Sequence, residues 1–198
     1  MYLTGGLNHE CNKEIAQLRF TSDGQTQWAN IPYYSNDKII GRCRHTSCAY
    51  NDKVYMFGGC FMFNMKRQIR ECTSQLVIYD TIEDTLNIIK TKGISIQPRK
   101  DHCAAIIANS MIVYGGQFEN SQVSNEMLNL DLQYNDWSRL YFKGMQIEPF
   151  YQAKCVSVIN KKKRTDTTGT LEQQLTRMSD AILEGIYYFG GKNQKGEL

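Results

Sequence analysis

IVYGG at residues 112–116 is the stretch that decides the fold, because its arrangement of an apolar or aromatic run closed by two glycines occurs four times. The other copies are YLTGG at 2–6, YMFGG at 55–59 and YYFGG at 187–191. Random placement of 15 glycines in 198 residues would give about one adjacent pair, so four pairs in one context indicate a repeated structural unit. The pairs are Gly5-Gly6, Gly58-Gly59, Gly115-Gly116 and Gly190-Gly191.

The distances between successive pairs are 53, 57 and 75 residues. Further landmarks recur between them, and they place about six extra residues after Gly59 and an insertion at 161–184 in the last interval. The first interval is longer by one residue at each of two places. When these two residues and the insertions are subtracted, every unit is 51 residues long. The spacing therefore predicts one repeat with two enlarged loops, 60–74 and 161–184.

Each repeat is predicted to form four short antiparallel strands, which we call a to d in chain order. Their residues are β-branched, aromatic or alternately apolar, and Gly, Asn, Asp and Ser separate them. In the third unit the runs are CAAIIA at 103–108, MIVYGG at 111–116, EMLNLDL at 126–132 and WSRLYF at 137–142. Asn-Asp at 51–52, Asn-Ser at 109–110 and Asn-Asp at 135–136 are expected at the hairpin turns.

A four-stranded sheet of this size cannot bury both of its faces alone, but copies stacked around an axis can, which predicts an all-β propeller. The two glycines that close strand b suit positive φ angles or a close approach of the backbone between blades. Two pairs, Phe20 with Trp28 and Leu130 with Trp137, are expected to be apolar anchors between neighbouring blades.

In these features the chain resembles the kelch repeat, the β-propeller unit also found in the central domain of galactose oxidase. The matching positions are Pro98, Arg99, Gly115, Gly116 and Trp137 in one unit, and Arg42, His45, Gly58, Gly59, Tyr79 and Asp80 in another. Phe150 and Ala153 depart from the pattern at the third Arg and His, and Leu86 replaces a Trp. The resemblance implies a propeller of antiparallel four-stranded blades whose loops bind other proteins.

The repeat divides the chain into a partial blade at 1–32 with strands b to d, complete blades at 33–91 and 92–143, and a partial blade at 144–198. This last part would hold strands a and b and the insertion 161–184. Because kelch propellers usually close with five to seven blades, we expect an incomplete ring, that is, a segment of a larger propeller.

Composition indicates a globular domain, with 41% hydrophobic and 22% charged residues and a net charge of +3. No apolar run is long enough to span a membrane and no signal-peptide layout is present, so we expect a cytoplasmic protein. The seven cysteines are expected to be reduced thiols, with Cys48, Cys103 and Cys155 in inner strands. Neither Cys43 with His45 nor Cys60 with Cys72 has the spacing of a zinc site, so no metal or other cofactor is predicted.

The two enlarged loops are the candidate partner-binding sites. The first contains Phe61, Met62, Phe63, Met65, Lys66, Arg67 and Arg70, residue types that are enriched at interfaces, although the loop could equally fold back as an apolar cluster over its blade. The second begins with Lys161, Lys162, Lys163 and Arg164, a basic run that is usually a solvated loop and otherwise a contact for an acidic protein surface or for nucleic acid. Nucleic acid is not the expected partner. Residues 170–183 within it have the apolar spacing of a short amphipathic helix, or they lack fixed structure.

Two pairs of equivalent residues have open structural roles. Arg42 and Arg99 are expected to bridge adjacent blades, or else to line the propeller mouth for an acidic ligand. His45 and His102 are expected to form hydrogen bonds within their own blades rather than to act in chemistry.

The favoured function is a non-catalytic protein-interaction scaffold within a larger protein or assembly. No nucleophile with a base, paired carboxylates or phosphate loop is evident, so no small-molecule substrate is inferred. The abundance of Asn, Gln, Ile, Lys and Tyr suggests an AT-rich genome, such as many protists have. Combined with a scaffold propeller, this leads us to expect a cytoskeletal or ciliary complex. The alternative is the targeting or substrate-binding domain of a multidomain enzyme, of the phosphatase or ubiquitin-ligase adaptor type.

Overall fold

The computed structural model describes residues 1–64, 69–141, 143–144, 147–158 and 185–197. These residues form sixteen β-strands in consecutive sheets. None of them forms a helix long and apolar enough to cross a membrane. The prediction of an all-β fold is confirmed.

The strands fall into four blade sheets and one additional hairpin. The first sheet contains β1 (Tyr2–Thr4), β2 (Ile15–Phe20) and β3 (Thr26–Ile31). The second sheet and the hairpin that extends from it contain β4 (Thr46–Tyr50), β5 (Lys53–Phe57), β6 (Cys60–Asn64), β7 (Ile69–Cys72), β8 (Leu76–Asp80) and β9 (Thr85–Ile89). The third contains β10 (Lys92–Gly93), β11 (Cys103–Ile107), β12 (Ser110–Tyr114), β13 (Met127–Asp131) and β14 (Asp136–Leu140), and the fourth β15 (Lys154–Val158) and β16 (Gly185–Phe189).

The second and third sheets are complete blades of four antiparallel strands, in the orders β4-β5-β8-β9 and β11-β12-β13-β14. Their registers are equivalent, since Tyr79 lies opposite Leu86 and Leu130 lies opposite Trp137. The tight a-to-b turns hold Asn51 and Ala108 at φ angles of 51°. The second blade thus turns at the predicted Asn-Asp pair, whereas the turn of the third begins one residue before the predicted Asn-Ser pair.

Consecutive sheets pack face to face through three apolar clusters. The largest lies between the second and third sheets, where Phe57 packs against Trp137 with ring centroids 4.7 Å apart. Ile15 of the first sheet packs with Val77 and Tyr79 of the second, and Tyr114 of the third packs with Tyr188 of the fourth. Within the described ranges, the sheets form a series that does not close into a ring, which agrees with the prediction of an incomplete propeller.

Phe20 and Trp28 do not anchor neighbouring blades within the described residues. Phe20 is 77% exposed and Trp28 is 49% exposed, whereas Leu130 and Trp137 of the third blade are buried. Trp28 also lies opposite Leu18 and not Phe20, so the predicted pairing was out of register. The reason is the face on which they lie: Ile15 faces the second blade, and alternation along β2 puts Phe20 on the opposite face. No described residues pack on that face as another blade.

An outer edge contact that the sequence reasoning missed joins neighbouring blades. β10 follows the last strand of the second blade and pairs in parallel with β14, the outermost antiparallel strand of the third. Tyr34, which follows β3, makes the equivalent parallel bridge to Thr85 on β9. These two d-to-a connections therefore run along the outer edge of the next blade before they enter the inner strand.

Candidate interaction surface

The four diglycines mark the end of the blades where the b-to-c and d-to-a connections gather. All eight glycines have positive φ angles, between 60° and 110°. A Cβ added to Gly58 would lie 2.8 Å from the Arg99 carbonyl oxygen and 2.8 Å from the His102 ring, both in the next blade. A Cβ on Gly59 would lie 2.6 Å from the carbonyl oxygen of Cys43, which precedes strand a of its own blade. The first glycine thus allows blades to approach and the second closes the blade on itself.

The side chains of Arg42 and Arg99 do not bridge adjacent blades, so the favoured expectation for them is wrong. Arg42 donates to the carbonyl oxygens of Gly58 and Gln75 and to the Gln75 side chain, all within its own blade. It is the backbone that connects blades, because the Arg42 carbonyl oxygen accepts from the amide of Gly6 and the Arg99 carbonyl oxygen from that of Gly59. Both guanidinium groups are buried, so they do not line the mouth either.

Arg99 is the most strongly held charge of this surface. It is fully buried and donates to the Gly115 carbonyl oxygen at 3.4 Å, to Ser124 Oγ at 3.1 Å and to Glu126 Oε2 at 2.5 Å. The Phe118 ring covers its guanidinium at 5.1 Å. Although burial opposes the effect, Arg99 and Arg139 lower the pKa of Glu126 and keep this carboxylate ionised.

The two histidines connect blades, contrary to the expectation that they bond within them. His45 Nε2 lies 3.1 Å from Thr4 Oγ1 of the first blade, and His102 Nε2 lies 2.8 Å from Thr46 Oγ1 of the second. Burial, with the nearby charge of Arg42, lowers the pKa of His45 to about 4. Burial, with Arg99 and His45, lowers the pKa of His102 to about 3. Both imidazoles are therefore neutral at pH 7 and act as structural links.

Three equivalent residues form a backbone ladder around the inner strands. Arg44, Asp101 and Gln152 have φ angles of 60°, 55° and 60°, which non-glycine residues adopt uncommonly. The Asp101 amide donates to the Arg44 carbonyl oxygen at 2.9 Å, and the Gln152 amide donates to the Asp101 carbonyl oxygen at 2.8 Å. Arg44 also forms an ion pair with Asp101, with Nη2 and Oδ2 2.8 Å apart. Burial raises the pKa of Asp101, and the charge of Arg44 opposes this rise.

These residues line a polar cavity of about 440 Å³ where the inner strands begin. A second cavity of about 530 Å³ continues along the same strands past Cys48, Ala104 and Cys155. The described residues include no group of three His, Cys, Asp or Glu side chains arranged to hold a metal ion. The cavities therefore have the form of an axial recess with a charged rim. The left-handed backbone conformation of the rim residues was not predicted, although Arg44, Asp101 and Gln152 occupy the same position in the aligned repeats.

The first enlarged loop is a β-hairpin that extends from the second blade beside this rim. Met62 and Phe63 lie on β6 and Arg70 lies on β7, opposite Phe63. At the base of the hairpin the Phe61 ring is partly buried and lies 5.9 Å from the Arg42 guanidinium carbon. Met65, Lys66 and Arg67 lie outside the described residues.

The second candidate site follows β15 in the sequence. Lys161, Lys162, Lys163 and Arg164, and the predicted helix at 170–183, lie outside the described residues. The strands that flank the insertion are paired to their ends, with Val158 opposite Gly185. The described strand ends that flank the insertion thus lie at the end of the fourth sheet away from the diglycines.

Comparison with known proteins agrees with this geometry. The family model described as the KLHDC2/KLHL20/DRC7 Kelch-repeats domain matches residues 1–182. Kelch-like protein 15 of Danio rerio is 26% identical over 147 residues, covering 69% of this chain and 24% of that protein. The Leucine-zipper-like transcriptional regulator 1 homolog of Drosophila melanogaster is 26% identical over 149 residues, covering 72% of this chain and 14% of that protein.

A further relative is Rho GTPase-activating protein gacHH of Dictyostelium discoideum, 24% identical over 109 residues, which cover 55% of this chain and 7% of that protein. The chain thus spans about a quarter of the length of Kelch-like protein 15 and less of the other two. Since the family model covers most of its length and its blades carry the repeat in register, the chain belongs to the kelch-repeat family.

Proposed function

We propose that this kelch segment is a protein-interaction platform and that the partner binds the loop end of the second blade. Kelch repeats generally mediate protein–protein binding, and the chain's own geometry supports a specific place for it. The observation that carries the proposal is the β6-β7 hairpin, which extends one b-to-c connection beyond the blade next to the charged rim. Loops placed on a rigid scaffold are where binding residues concentrate.

Comparison of the two complete blades supports the hairpin as an addition rather than a structural need. In the third blade the same connection closes with a short turn, in which the Phe118 amide donates to the Gln122 carbonyl oxygen at 2.9 Å. The second blade inserts two strands at this place and concentrates Phe and Met there. Aromatic, Met and Arg side chains supply much of the binding energy at interfaces.

The hairpin base is also pre-organised for binding. Phe61 lies against the buried Arg42, and Cys60 exchanges two backbone hydrogen bonds with Cys43, at 3.0 and 2.9 Å. A site that is already ordered loses less conformational entropy when a partner docks. Arg44, Asp101 and Gln152 at the neighbouring rim would supply polar contacts that select the partner.

The test is an affinity capture with a control substitution at the other end of the same blade. Phe61, Phe63 and Met65 are replaced together by Ser, and the control is Ile82→Ser, because Ile82 is 69% exposed in the c-to-d turn at the other end of the same blade. The triple variant should lose the proteins that the wild type and the control both retain. Identical sets of bound proteins from all three would refute the hairpin as the site, provided the triple variant keeps the wild-type circular dichroism spectrum.

For the whole protein, we further propose a cytoplasmic scaffold in a larger assembly, of cytoskeletal or ciliary type. The residue composition that motivated this idea remains its support. Imaging of the tagged protein tests it directly. Co-fractionation with the cytoskeleton or axoneme supports it, and uniform extraction with the soluble fraction contradicts it.

A second candidate function is the targeting segment of a multidomain enzyme. The similarity to a Rho GTPase-activating protein favours it, since the matched part is only 7% of that protein. The transcript on either side of the sequence decides between the two functions. An adjoining catalytic domain supports targeting, and further diglycine units alone support the scaffold.

A further inference from the structure

Three cysteine thiols from three separate segments meet beneath the base of the hairpin. Cys11 lies in the b-to-c connection of the first blade, Cys43 precedes β4, and Cys60 begins β6. The Cys11 sulfur is 3.4 Å from the Cys43 sulfur, which is 3.5 Å from the Cys60 sulfur. All seven cysteines of the chain are reduced in this structure.

The backbone holds these thiols in place. An added Cβ on Gly41 would lie 1.9 Å from the Cys11 carbonyl oxygen, so the segment before Cys43 runs in direct contact with Cys11. The Arg42 amide donates to the Asn12 carbonyl oxygen at 3.0 Å, which fixes the same approach from the next residue. Cys43 and Cys60 form an isolated antiparallel bridge. The proximity of the sulfurs thus follows from main-chain hydrogen bonds and not from side-chain rotamers alone.

The kelch fold does not require thiols at these positions. The bridge between Cys43 and Cys60 is repeated in the third blade by Lys100 and Gln117. The position of Cys11, opposite Leu7 in its connection, corresponds to Val123, which lies opposite Gln117. The third blade therefore builds the same connections with no cysteine, so the cluster is a feature of the first two blades.

We propose that Cys11 and Cys43 form an oxidant-sensitive dithiol whose disulfide links the first blade to the second. Cys11 is partly exposed and receives the oxidant, whereas Cys43 is 2% exposed and acts as the resolving thiol. A disulfide bond is about 2.0 Å long, so the two sulfurs need to approach by little more than one ångström. The site belongs to the class of thiol pairs that hydrogen peroxide oxidises.

The chemistry takes place in two balanced steps. The Cys11 thiolate attacks one oxygen of hydrogen peroxide, the O–O bond breaks, and the departing hydroxide takes up a proton to become water, which leaves a sulfenic acid on Cys11. The Cys43 sulfur then attacks the Cys11 sulfur, the S–O bond breaks, and the hydroxide leaves as water with the Cys43 proton. Two thiols lose two electrons, and one peroxide is reduced to two waters.

Cys60 is the neighbouring thiol that the reaction leaves unchanged. It is fully buried, and burial raises its pKa to about 12, so it stays protonated and unreactive. Cys72 lies opposite Cys60 in the hairpin and is partly exposed, like Cys11. It provides the matched control, because it is next to the cluster and outside the proposed pair.

The test treats the whole folded chain with hydrogen peroxide and then alkylates it in denaturant, where buried thiols also react. The chain is digested with trypsin without reduction and mapped by mass spectrometry. Trypsin cuts after Lys13, Arg42 and Arg44, so Cys11 and Cys43 fall on separate peptides, 1–13 and 43–44. We expect these two peptides to become linked, with the loss of two alkylatable thiols that dithiothreitol restores. Cys11→Ser should leave Cys43 fully alkylatable, and Cys72→Ser should preserve the link.

Three results would overturn the proposal. One is sulfinic acid on Cys11 with Cys43 still alkylatable, and another is a link of Cys43 to Cys60 or of Cys60 to Cys72. The third is zinc that co-purifies with the chain and is released when these thiols are modified. Peptide mapping of the wild-type chain gives the first two results and its metal content gives the third, so the test does not depend on the folding of a variant.

Discussion

Replacement of Arg99 by Met should destabilise the chain by roughly 4 to 5 kcal/mol. Arg99 is fully buried, and its guanidinium donates to three neutral acceptors, on Gln97, Gly115 and Ser124, and to the carboxylate of Glu126. A hydrogen bond to a neutral acceptor contributes about 1 kcal/mol, and one to a carboxylate about 1.5 to 3 kcal/mol. The lower end applies to Glu126, because its side chain is 26% exposed and keeps its ion pair with Arg139 after the substitution.

The repeat itself supplies the matched control, Arg42→Met. Arg42 is buried at the equivalent position, but its acceptors are the backbone carbonyl oxygens of Gly58 and Gln75 and the side-chain oxygen Oε1 of Gln75, at 3.2 to 3.5 Å. No carboxylate takes part, so the loss of three hydrogen bonds to neutral acceptors should cost about 3 kcal/mol. The difference between the two costs, about 1.5 kcal/mol, is the contribution expected from Glu126.

Equilibrium urea unfolding followed by tryptophan fluorescence measures both costs. Trp137 is buried between two blades and Trp28 is half exposed, so most of the change in emission should come from Trp137. Equal costs for Arg99→Met and Arg42→Met would refute the role given to the carboxylate. So would an Arg99→Met variant within about 1 kcal/mol of the wild type, since a buried charge with these partners should contribute more.

The remaining predictions concern blade packing and acid stability. Trp137→Ala should cost about 3 to 5 kcal/mol in urea unfolding, while the half-exposed Trp28→Ala should cost less than about 1 kcal/mol. Gly58→Ala should cost more than about 2 kcal/mol, because its φ is 64° and the new Cβ would meet the next blade at 2.8 Å. The lowered pKa values of His45 and His102 predict full stability above pH 6.5 and a progressive loss as the pH falls towards 4 and then 3, measurable as urea midpoints across this range.

Clear results would contradict each of these. Similar costs for the two Trp substitutions would mean that the face of β3 is as well packed as that of β14. A neutral Gly58→Ala would show that the blades can separate without loss. For the histidines, an unfolding midpoint that does not change between pH 6.5 and 4 would mean that both imidazoles reach solvent in the folded state, against their burial.

The backbone of this fold could be predicted from the sequence because the signal is repeated. Runs such as CAAIIA and MIVYGG have the short length and residue types of strands, and equal spacing between landmarks sets the register of one blade from another. The opposition of Leu130 and Trp137 follows directly from the turn at Asn135. The hairpin β6-β7 appeared in the sequence only as a surplus of residues, since its strands have no counterpart in the other units.

The side-chain partners could not be predicted, because spacing along the chain does not give direction. Arg42 and His45 are three residues apart, as are Arg99 and His102. The arginines were expected to bridge blades and the histidines to bond within their own blade, and the structure shows the reverse. The residue before each histidine has a left-handed backbone, and the turn there directs the arginine into its own blade and the histidine towards the preceding one. Backbone handedness at a residue that is not glycine has little sequence signal.

At this left-handed position the three repeats have the same backbone geometry but different side chains. Arg44, Asp101 and Gln152 share one backbone conformation and one ladder of amide-to-carbonyl hydrogen bonds, yet their side chains are a cation, an anion and a neutral amide. Glycine would adopt this conformation without the cost of about 1 kcal/mol that a side chain adds. Three different polar side chains at three such positions therefore offer something glycine cannot, which is a charged rim beside the hairpin. Because the backbone ladder holds these residues whatever side chain each one carries, the rim can change its charge without disturbing the blades, and this is the property that a partner-selecting surface needs.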